Sequence, residues 1–308
     1  MPRSRARPVT RPRAGKPAAA ATRGRQGSPA MACHDILIVI ENAAVVPQCI
    51  APAAALATRF GARLTGLFAS GFPVTAAYGD VSGWEQLVDA YLEAQRREAA
   101  AAGAAFRRAL TQDKLAGEWI FREADETGSA VAEAALYDLV VVGQPNPEAG
   151  LTGAIGLRPE EIVLSCGRPV LVVPYAGDFA DVGRRVLVAW NGRREAARAL
   201  HDAMFLLGDA EAVTVIEIDP PAPGVAAPAA TAAQVAAALT RRGIAAKAET
   251  ETSGDIGVGD LLLSRAADLG ADLIVMGAYG HSRMREFVLG GVSRGIFRHM
   301  TVPVLMSH

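Results

Sequence analysis

The sequence predicts an α/β protein made of two tandem doubly wound domains. We expect each domain to hold a five-stranded parallel sheet, with strand order 3-2-1-4-5 and helices on both faces. Two observations support this prediction: short unbroken apolar segments alternate with helical patterns, and the same segments recur in both halves of the 308-residue chain. Strands that are apolar throughout are typical of parallel sheets, because the connecting helices cover both faces.

The repeat is clearest in one apolar strand of each half. Residues 138–143 (DLVVVG) match residues 272–277 (DLIVMG) at an offset of 134. The first strand of each half, near Ile36 and near Val186, repeats at an offset of 150. The first half therefore carries 16 extra residues between these segments, and we place them around Gly71–Leu115.

The apolar pattern also predicts where the strands and helices lie. The predicted strands are Asp35–Ile40, Arg63–Phe68, Glu118–Arg122, Leu139–Gly143, Val170–Val173, Arg185–Trp190, Ala212–Ile218, Ile244–Glu249, Asp272–Gly277 and Val302–Met306. The predicted helices are Trp84–Leu110, Glu195–Leu207, Ala232–Arg242, Gly259–Leu269 and Val292–Met300. The apolar face of the first helix, which is more typical of a core than of a ligand site, carries Leu87, Tyr91, Ala94 and Ala102.

These elements divide the chain into three parts. We expect a basic tail at 1–31, a first domain at 32–176 and a second domain at 183–308, with a linker near Tyr175–Gly183. The tail holds eight of the 31 basic groups and none of the 32 acidic groups, and its lack of apolar side chains predicts disorder. It could bind nucleic acid or an anionic surface, it resembles a transit peptide in its charge, or it is an upstream extension before a working start at Met31, which we favour.

Composition argues against several functions. The rest of the chain is acidic, so we expect nucleic-acid binding, if at all, only through the tail. Three scattered cysteines (Cys33, Cys49 and Cys166) are typical of a reducing compartment and form no zinc motif, so we expect a cytoplasmic protein without a metal site. No apolar run approaches the roughly 20 residues of a membrane helix, so we expect no membrane partner. The segment GVSRG at 291–295 matches the serine motif of hydrolases, but no Asp or Glu follows Ser293 to complete a catalytic triad. We therefore predict no catalytic residue.

The most informative segment runs from Gly277 to Ser293, between a predicted strand and a predicted helix. Its pattern is Gly-x2-Gly-x9-Gly, with the glycines at Gly277, Gly280 and Gly290. Glycines allow backbone N–H groups to approach an anion, and the start of the helix adds positive partial charge. Ser293 can bind a phosphate oxygen or cap the helix, and His281 adds a switchable charge. The segment therefore predicts a site for a di- or triphosphate.

This pattern, with DLIVMG at 272–277 and VPVLM at 302–306, resembles the universal stress protein family. The resemblance covers about residues 34–308, as a tandem form of that domain. It implies bound ATP, with or without Mg²⁺: the glycine loop holds the phosphates, the end of the first strand contacts the ribose, and the end of the second contacts adenine. The site residues that it implies are Ala189, Trp190, Asn191, Glu217, Met276, Gly277, Gly280, His281, Gly290, Gly291, Val292 and Ser293.

Several positions depart from the family pattern. Asn191 stands where Asp is usual, and Gly291 stands where a Ser or Thr supplies a hydroxyl group. In the first half, Asn146 replaces a motif glycine, Pro159 replaces the motif serine, and Glu41 takes the place of the ribose-binding residue. We therefore predict that the first half has lost nucleotide binding and has a structural role, or that its extra helix lines a different, apolar pocket.

We expect a cytoplasmic stress-response protein that binds ATP in its second half and acts as a ligand sensor or regulator, with absent or slow ATP hydrolysis. The competing hypothesis, which the departures at Asn191 and Gly291 favour, is a nucleotide-independent scaffold or a carrier of small apolar ligands. The two halves are expected to pair as the subunits of the family's dimer do. Formation of a homodimer is a further alternative, because Pro303–Met306 could leave an exposed edge strand.

Overall fold

The structure is a computed structural model. It describes residues 33–69, 84–122, 127–146, 158–221, 230–278 and 291–308. The predictions for the tail at 1–31 and for Gly280, His281 and Gly290 lie outside these residues. Residues Met31–His308 form one compact unit, so the division of this unit into two domains stays an interpretation of the repeat.

In the described residues, ten strands follow the predicted apolar segments closely. They are β1 (Asp35–Ile40), β2 (Arg63–Ala69), β3 (Gly117–Arg122), β4 (Leu139–Gly143), β5 (Val170–Val173), β6 (Arg185–Trp190), β7 (Ala212–Ile218), β8 (Ala246–Glu251), β9 (Leu273–Gly277) and β10 (Val304–Ser307).

The helices of the described residues alternate with these strands. They are α1 (Val46–Phe60), α2 (Trp84–Asp113), α3 (Thr127–Ala134), α4 (Pro159–Ser165), α5 (Arg194–Asp202), α6 (Met204–Leu207), α7 (Ala232–Arg241), α8 (Val258–Asp268) and α9 (Gly291–His299). Two short 3₁₀ helices occupy Ala43–Val45 and Gly254–Ile256.

All ten strands form one continuous sheet, in the order β3-β2-β1-β4-β5-β10-β9-β6-β7-β8. Within each half the neighbouring strands are parallel and keep the order 3-2-1-4-5, which confirms the predicted fold class. The halves join where β5 pairs antiparallel with β10, and Leu171 lies opposite Leu305. Because these leucines are equivalent residues of the repeat, a pseudo-twofold axis passes between them.

The prediction that Pro303–Met306 leaves an exposed edge strand is wrong. Strand β10 lies at the centre of the sheet, with β5 on one side and β9 on the other. It begins at Val304 rather than at Val302, because Pro303 has no N–H to donate to a neighbouring strand. The sheet ends at β3 and β8, and β8 carries several charged side chains, which discourage pairing with another chain.

Two predicted boundaries in the second half differ from the structure. Strand β8 begins two residues later than predicted, because Gly243 turns the chain at φ +82° and the Ile244 N–H closes the end of α7 on the Leu239 carbonyl. The predicted helix Glu195–Leu207 is divided at Ala203 into α5 and α6.

The extra residues of the first half lie largely in α2. This helix has 30 residues, whereas the equivalent helix of the second half, α7, has ten. Of the apolar face predicted for α2, Ala102 is fully buried and Tyr91 is half-buried, while nothing is described of the Leu87 side chain. Phe106 of the same helix is also fully buried, so this face packs in the core as expected.

The core consists of two layers that each run across both halves. One face of the sheet is covered by α1, α2, α5, α6 and α7, and the other by α3, α4, α8 and α9. Equivalent helices of the two halves share a face, as a twofold axis perpendicular to the sheet requires.

Among the described residues one segment, Ala43–Phe60, is long and apolar enough to cross a membrane by length and composition, which corrects the expectation that no such run exists. In the structure its helix packs on the sheet, with Cys49, Ala53 and Leu56 buried.

Side chains also link the two halves outside the sheet. The buried Gln144, which follows β4, donates from Nε2 to the Phe297 carbonyl in the last turn of α9, at 2.7 Å, and accepts from the Tyr175 N–H. On the other face, the Arg59 guanidinium contacts the carbonyl of Val182 at 3.2 Å and forms an ion pair with Asp209. These contacts hold the linker and the outer helices to the joined sheet.

An aspartate repeated in the two halves ties the start of each first strand to the fourth. Asp138 accepts hydrogen bonds from the N–H groups of His34 and Asp35, and Asp272 accepts from those of residues 183–185 at 2.8–3.0 Å. Burial raises the pKa of Asp272, although these N–H groups oppose the shift. The repeat marks both residues, and the structure explains why an acceptor-only side chain is needed there.

Replacing Asp272 with Asn should lower the free energy of unfolding by about 1–3 kcal/mol, because the new NH₂ group would face N–H donors and leave one unsatisfied. Asp268→Asn is the matched control, since that exposed carboxylate has an ion pair with Arg265 at 3.2 Å, and its cost should stay within about 0.5 kcal/mol. Urea unfolding measures both variants. Equal losses in the two would contradict the tie between the strands.

Candidate functional site

The candidate site lies at the carboxyl ends of β6 and β9. The strand order reverses between these two strands, since β7 and β8 follow β6 on one side and β10 follows β9 on the other. Doubly wound sheets bind their ligands in the crevice that such a reversal opens. Helix α5 begins at this end of the sheet directly after β6, and α9 begins there before the chain enters β10.

Two predicted site residues, Trp190 and Glu217, hold the start of α7. They lie opposite each other in β6 and β7, and both side chains are buried. The Trp190 Nε1 donates to the Ala230 carbonyl at 2.8 Å, and the Glu217 Oε2 accepts from the Ala232 N–H at 3.0 Å. Their side chains therefore serve the fold, and the backbone is the part of Glu217 that is left to contact a ligand.

The predicted residues Ala189, Met276 and Val292 belong to the opposite face of the sheet. Met276 is buried in the core there, and Ala189 and Val292 are half-buried against it. Ile218, at the end of β7, is likewise half-buried on this face. The sheet end thus offers an apolar surface that can contact the flat face of a ring.

Asn191 is exposed and shapes the turn between β6 and α5. Its Oδ1 accepts from the Arg193 N–H at 3.1 Å, and Gly192 adopts φ +69°, a conformation that suits glycine. Because the side-chain oxygen is engaged in the turn, the amide NH₂ is the group of Asn191 suited to binding a hydroxyl group.

Gly277 is needed for packing, which the sequence did not indicate. A Cβ at this position would lie 2.5 Å from the Ala196 nitrogen and 2.5 Å from the Glu195 carbonyl carbon. The first turn of α5 therefore presses directly on β9 at Gly277. The expectation that this glycine admits an anion has to be modified, because its α-carbon is already covered by the helix.

Gly291 and Ser293 lie in the first turn of α9. Gly291 is exposed, and a Cβ there would have no atom of the described residues within 4 Å. Ser293 is buried at the third residue of the helix, so it does not occupy the N-cap position. The open space at Gly291, together with the N–H groups of this turn, is what an anionic group requires.

A charged cluster that the sequence did not single out lies beside Gly277. Glu195 is buried and its Oε1 accepts from the Arg194 Nε at 2.6 Å. Burial would raise the pKa of Glu195, but the Arg194 hydrogen bond, its own backbone N–H and the charges of Arg194 and His308 hold the pKa below its ordinary value. His308 Nδ1 lies 3.1 Å from the Ala278 carbonyl oxygen. The sequence could have identified His308 by its position directly after β10, because the carboxyl ends of neighbouring parallel strands lie at the same edge of a sheet.

The rim of the site contains a residue in an unusual conformation. Asp219, which follows β7, adopts φ +51°, and its carboxylate accepts from the N–H and hydroxyl groups of Ser253. These hydrogen bonds hold the pKa of Asp219 below its ordinary value. An Asp-Pro pair after a strand is a turn signal, and it could have identified this residue.

The described residues contain no group of three or more His, Cys, Asp or Glu side chains that could hold a metal ion. The arrangement at the ends of β6 and β9 instead combines backbone N–H donors, one amide side chain and an apolar surface. Such a set can bind and orient a ligand that has an anionic part and a flat apolar part.

Comparison with known proteins identifies the family of the second half of the chain. A model of the universal stress protein family matches residues 183–308. This half belongs to the universal stress protein family. The resemblance seen in the sequence is therefore confirmed there, and the first half has the same strand order.

Individual members of the family are similar over longer or shorter parts of the chain. The universal stress protein Slr1230 of Synechocystis sp. is 28% identical over 182 residues, which are 55% of this chain and 57% of that protein, so the chain spans little more than half of its length. A universal stress protein structure from Archaeoglobus fulgidus has a TM-score of 0.67 at 15% identity, and the match covers 89% of this chain and 95% of that one. This likeness shows the fold. The structure of a universal stress protein in complex with cAMP is 20% identical to this chain, with a TM-score of 0.32. That match covers 41% of this chain and 97% of the other.

The structure also locates the residues that distinguish the two halves of the chain. Glu41 follows β1 as Asn191 follows β6, and both begin the turn into the next helix. Pro159 is the first residue of α4, whereas its repeat equivalent, Ser293, is the third residue of α9. Asn146 is exposed beyond the end of β4.

Gly277→Ala should lower the free energy of unfolding by about 1–3 kcal/mol, because the added methyl group collides with the backbone of α5. The matched control is Gly295→Ala, inside α9, where a Cβ meets no atom within 4 Å; it should raise stability by about 0.5–1 kcal/mol through helix propensity. Thermal and urea unfolding measure both changes. A neutral Gly277→Ala would mean that α5 does not rest on β9.

Proposed function

We propose that the second half of this chain binds ATP at the ends of β6 and β9, and that the protein acts in the cytoplasm as a stress-response ligand sensor or regulator rather than as an efficient enzyme. The observation that carries the proposal is a coincidence of position. The strand order reverses between β6 and β9, and the segment that carries the Gly-x2-Gly-x9-Gly pattern connects β9 to α9 at the same end of the sheet.

The described residues fit the parts of a nucleotide. The half-buried side chains of Ala189, Ile218 and Val292 suit an adenine ring, and the Asn191 amide suits a ribose hydroxyl group. The open space at Gly291 and the positive end of α9 suit a phosphate group. When bound, ATP supplies a triphosphate whose negative charge the glycine loop and α9 would balance.

The same residues argue for binding without efficient hydrolysis. Among the described residues, three carboxylates at this end of the sheet are engaged: Glu195 by Arg194, Glu217 by the start of α7 and Asp219 by Ser253. A base for hydrolysis would have to be placed beside the terminal phosphate. Asn191 also lacks the charge that an Asp would offer to Mg²⁺, so we propose that phosphate binding rests on N–H groups rather than on a metal.

The second candidate function is a nucleotide-independent scaffold or a carrier of small apolar ligands. The structural observation that favours it is Gly277, whose α-carbon is covered by α5 and is therefore closed to a ligand. In that case the glycine pattern would serve packing and turns, and stress-responsive partners would bind without nucleotide.

Substitutions at Gly291 test ATP binding in both directions. Gly291→Asp places a carboxylate in the first turn of α9, which is compatible with the helix but repels phosphate, so ATP binding should be lost. Gly291→Ser restores the hydroxyl group that the family has at this position, so ATP binding should persist or tighten. The parent protein, at ATP concentrations of about 100 times the dissociation constant, should gain about 2.7 kcal/mol of stability.

The measurement is the unfolding free energy of each protein with and without ATP, and Gly290→Asp serves as a second disruption of the loop. Stabilisation of the parent and the Ser variant, but of neither Asp variant, supports the proposal. If ATP stabilises none of the four proteins, or all four equally, the scaffold or carrier becomes the leading function.

A further inference from the structure

The first half ends the sheet with an edge strand, β3, that lacks the usual protection against pairing. Among the described residues, β3 pairs with β2 on one side and with no strand on the other. Edge strands in natural proteins are usually protected by proline, by a bulge or by charged side chains along the strand. Strand β3 contains no proline, its register with β2 is continuous, and its two charged residues flank an apolar centre.

The backbone groups of two residues at the centre of β3 point away from the sheet. The Leu64 N–H of β2 donates to the Ala116 carbonyl, so every second residue of β3 from that point bonds to β2. Trp119 and Phe121 lie between those residues, and their N–H and C=O groups therefore face outward. A strand of another molecule could form hydrogen bonds with these groups.

The side chains of β3 form a self-complementary pattern, Glu-Trp-Ile-Phe-Arg at 118–122. When two copies of β3 lie antiparallel with Ile120 on the twofold axis, Trp119 lies opposite the partner's Phe121. The outward backbone groups of these two residues then form a hydrogen-bonded pair. In the same register Glu118 lies opposite the partner's Arg122, and symmetry repeats each pair. Moving the axis to Trp119 or Phe121 would place Ile120 opposite a charged residue.

The apolar centre of β3 is only partly covered within one chain. Trp119 and Phe121 are half-buried on the α2 face of the sheet, and Ile120 is half-buried on the other face. Trp119 is held in place by close packing, since a Cβ at Gly66 or Gly103 would lie 2.6 or 2.8 Å from its ring. Pairing with a second copy would cover more of this apolar surface on both faces of the sheet.

The charged residues at the ends of the pattern belong to ion pairs that a dimer would extend. Arg63 lies 3.0 Å from Glu118, and Arg122 lies 3.3 Å from Glu133. The side chains of Glu118 and Arg122 nevertheless remain 51% and 47% exposed. Between two copies the order becomes Arg63, Glu118, the partner's Arg122 and the partner's Glu133. The sign of the charge alternates along this row, so the existing pairs are kept while a new one forms.

The opposite edge of the sheet, β8, does not have these properties. Its apolar side chains are two alanines, so pairing there would cover little apolar surface. Its Glu249 lies 2.8 Å from Lys247 and 2.6 Å from Arg265 of the same chain. Strand β8 therefore provides matched control positions for tests on β3.

We propose that two copies of this chain form a dimer through antiparallel pairing of their β3 strands, with Ile120 on the twofold axis. The two ten-stranded sheets then become one continuous sheet. This interface differs from the pairing of β5 with β10, which lies within one chain. The inference does not depend on ATP binding, because β3 is an edge strand of the first half.

Disulfide cross-linking of the full chain tests both the pairing and its register. Ile120 would lie opposite its symmetry mate in a non-hydrogen-bonded pair, at a Cα–Cα distance of about 4.5 Å, which a disulfide can span. Ile120→Cys should therefore form a covalent dimer on mild oxidation, measured on a non-reducing gel. The native Cys33, Cys49 and Cys166 are buried, so the parent should not cross-link. Ala248→Cys, at an exposed position of β8, is the matched control and should not cross-link either.

Charge reversal tests the pairing without a covalent bond. Sedimentation equilibrium of the parent should give a mass near twice the 32.0 kDa of one chain. Glu118→Arg or Arg122→Glu alone places like charges opposite each other twice, so each should weaken dimerisation about tenfold or more. An equimolar mixture of the two variants should regain the parent affinity within about threefold, because both pairs of the mixed dimer contain opposite charges.

Three results would overturn the proposal. The first is a parent protein that stays monomeric at high-micromolar concentration. The second is equal cross-linking of Ile120→Cys and Ala248→Cys. The third is a mixture of Glu118→Arg and Arg122→Glu that stays monomeric although circular dichroism shows both variants to be folded.

Discussion

The antiparallel pairing of β5 with β10 determines the arrangement of the whole molecule. It converts two five-stranded sheets into one, and it places equivalent leucines opposite each other on a pseudo-twofold axis. Because the pairing is antiparallel, the carboxyl ends of the first-half strands and those of the second-half strands point to opposite ends of the sheet. The two equivalent points at which the strand order reverses therefore lie at opposite ends of the sheet.

The two halves show how one backbone arrangement supports different chemistry. At the end of the first strand, an amide in one half corresponds to a carboxylate in the other, and at the start of the next helix the buried Glu195 corresponds to Val45. In a homodimer, symmetry would force both positions to carry the same residues. Here each position can change alone, so the two ends of the sheet can carry different side chains within one chain.

Much of the fold could be predicted from the sequence, because strands buried on both faces must be apolar throughout and the repeat displays them twice. The joining of the halves could not, since pairing between β5 and β10 depends on surfaces that no local pattern describes; the same reasoning misplaced β10 at an edge. For the site, Asn191 and Met276 lie at the strand ends beside the reversal between β6 and β9, and their contact with a ligand stays a prediction. The contact of α5 with Gly277 and the hydrogen bond from the Ala232 N–H to Glu217 join elements that the linear spacing of residues does not relate.

The central position of β10 has a consequence for the order in which the protein assembles. During synthesis every other strand leaves the ribosome before residues 304–307. Until β10 arrives, β5 and β9 each present an edge of unpaired backbone N–H and C=O groups, in strands whose side chains are largely buried in the finished protein. The first half must therefore wait for a partner strand more than 130 residues further along the chain. That interval is when a nascent chain is most exposed to association with its neighbours, and chaperones would act most usefully then.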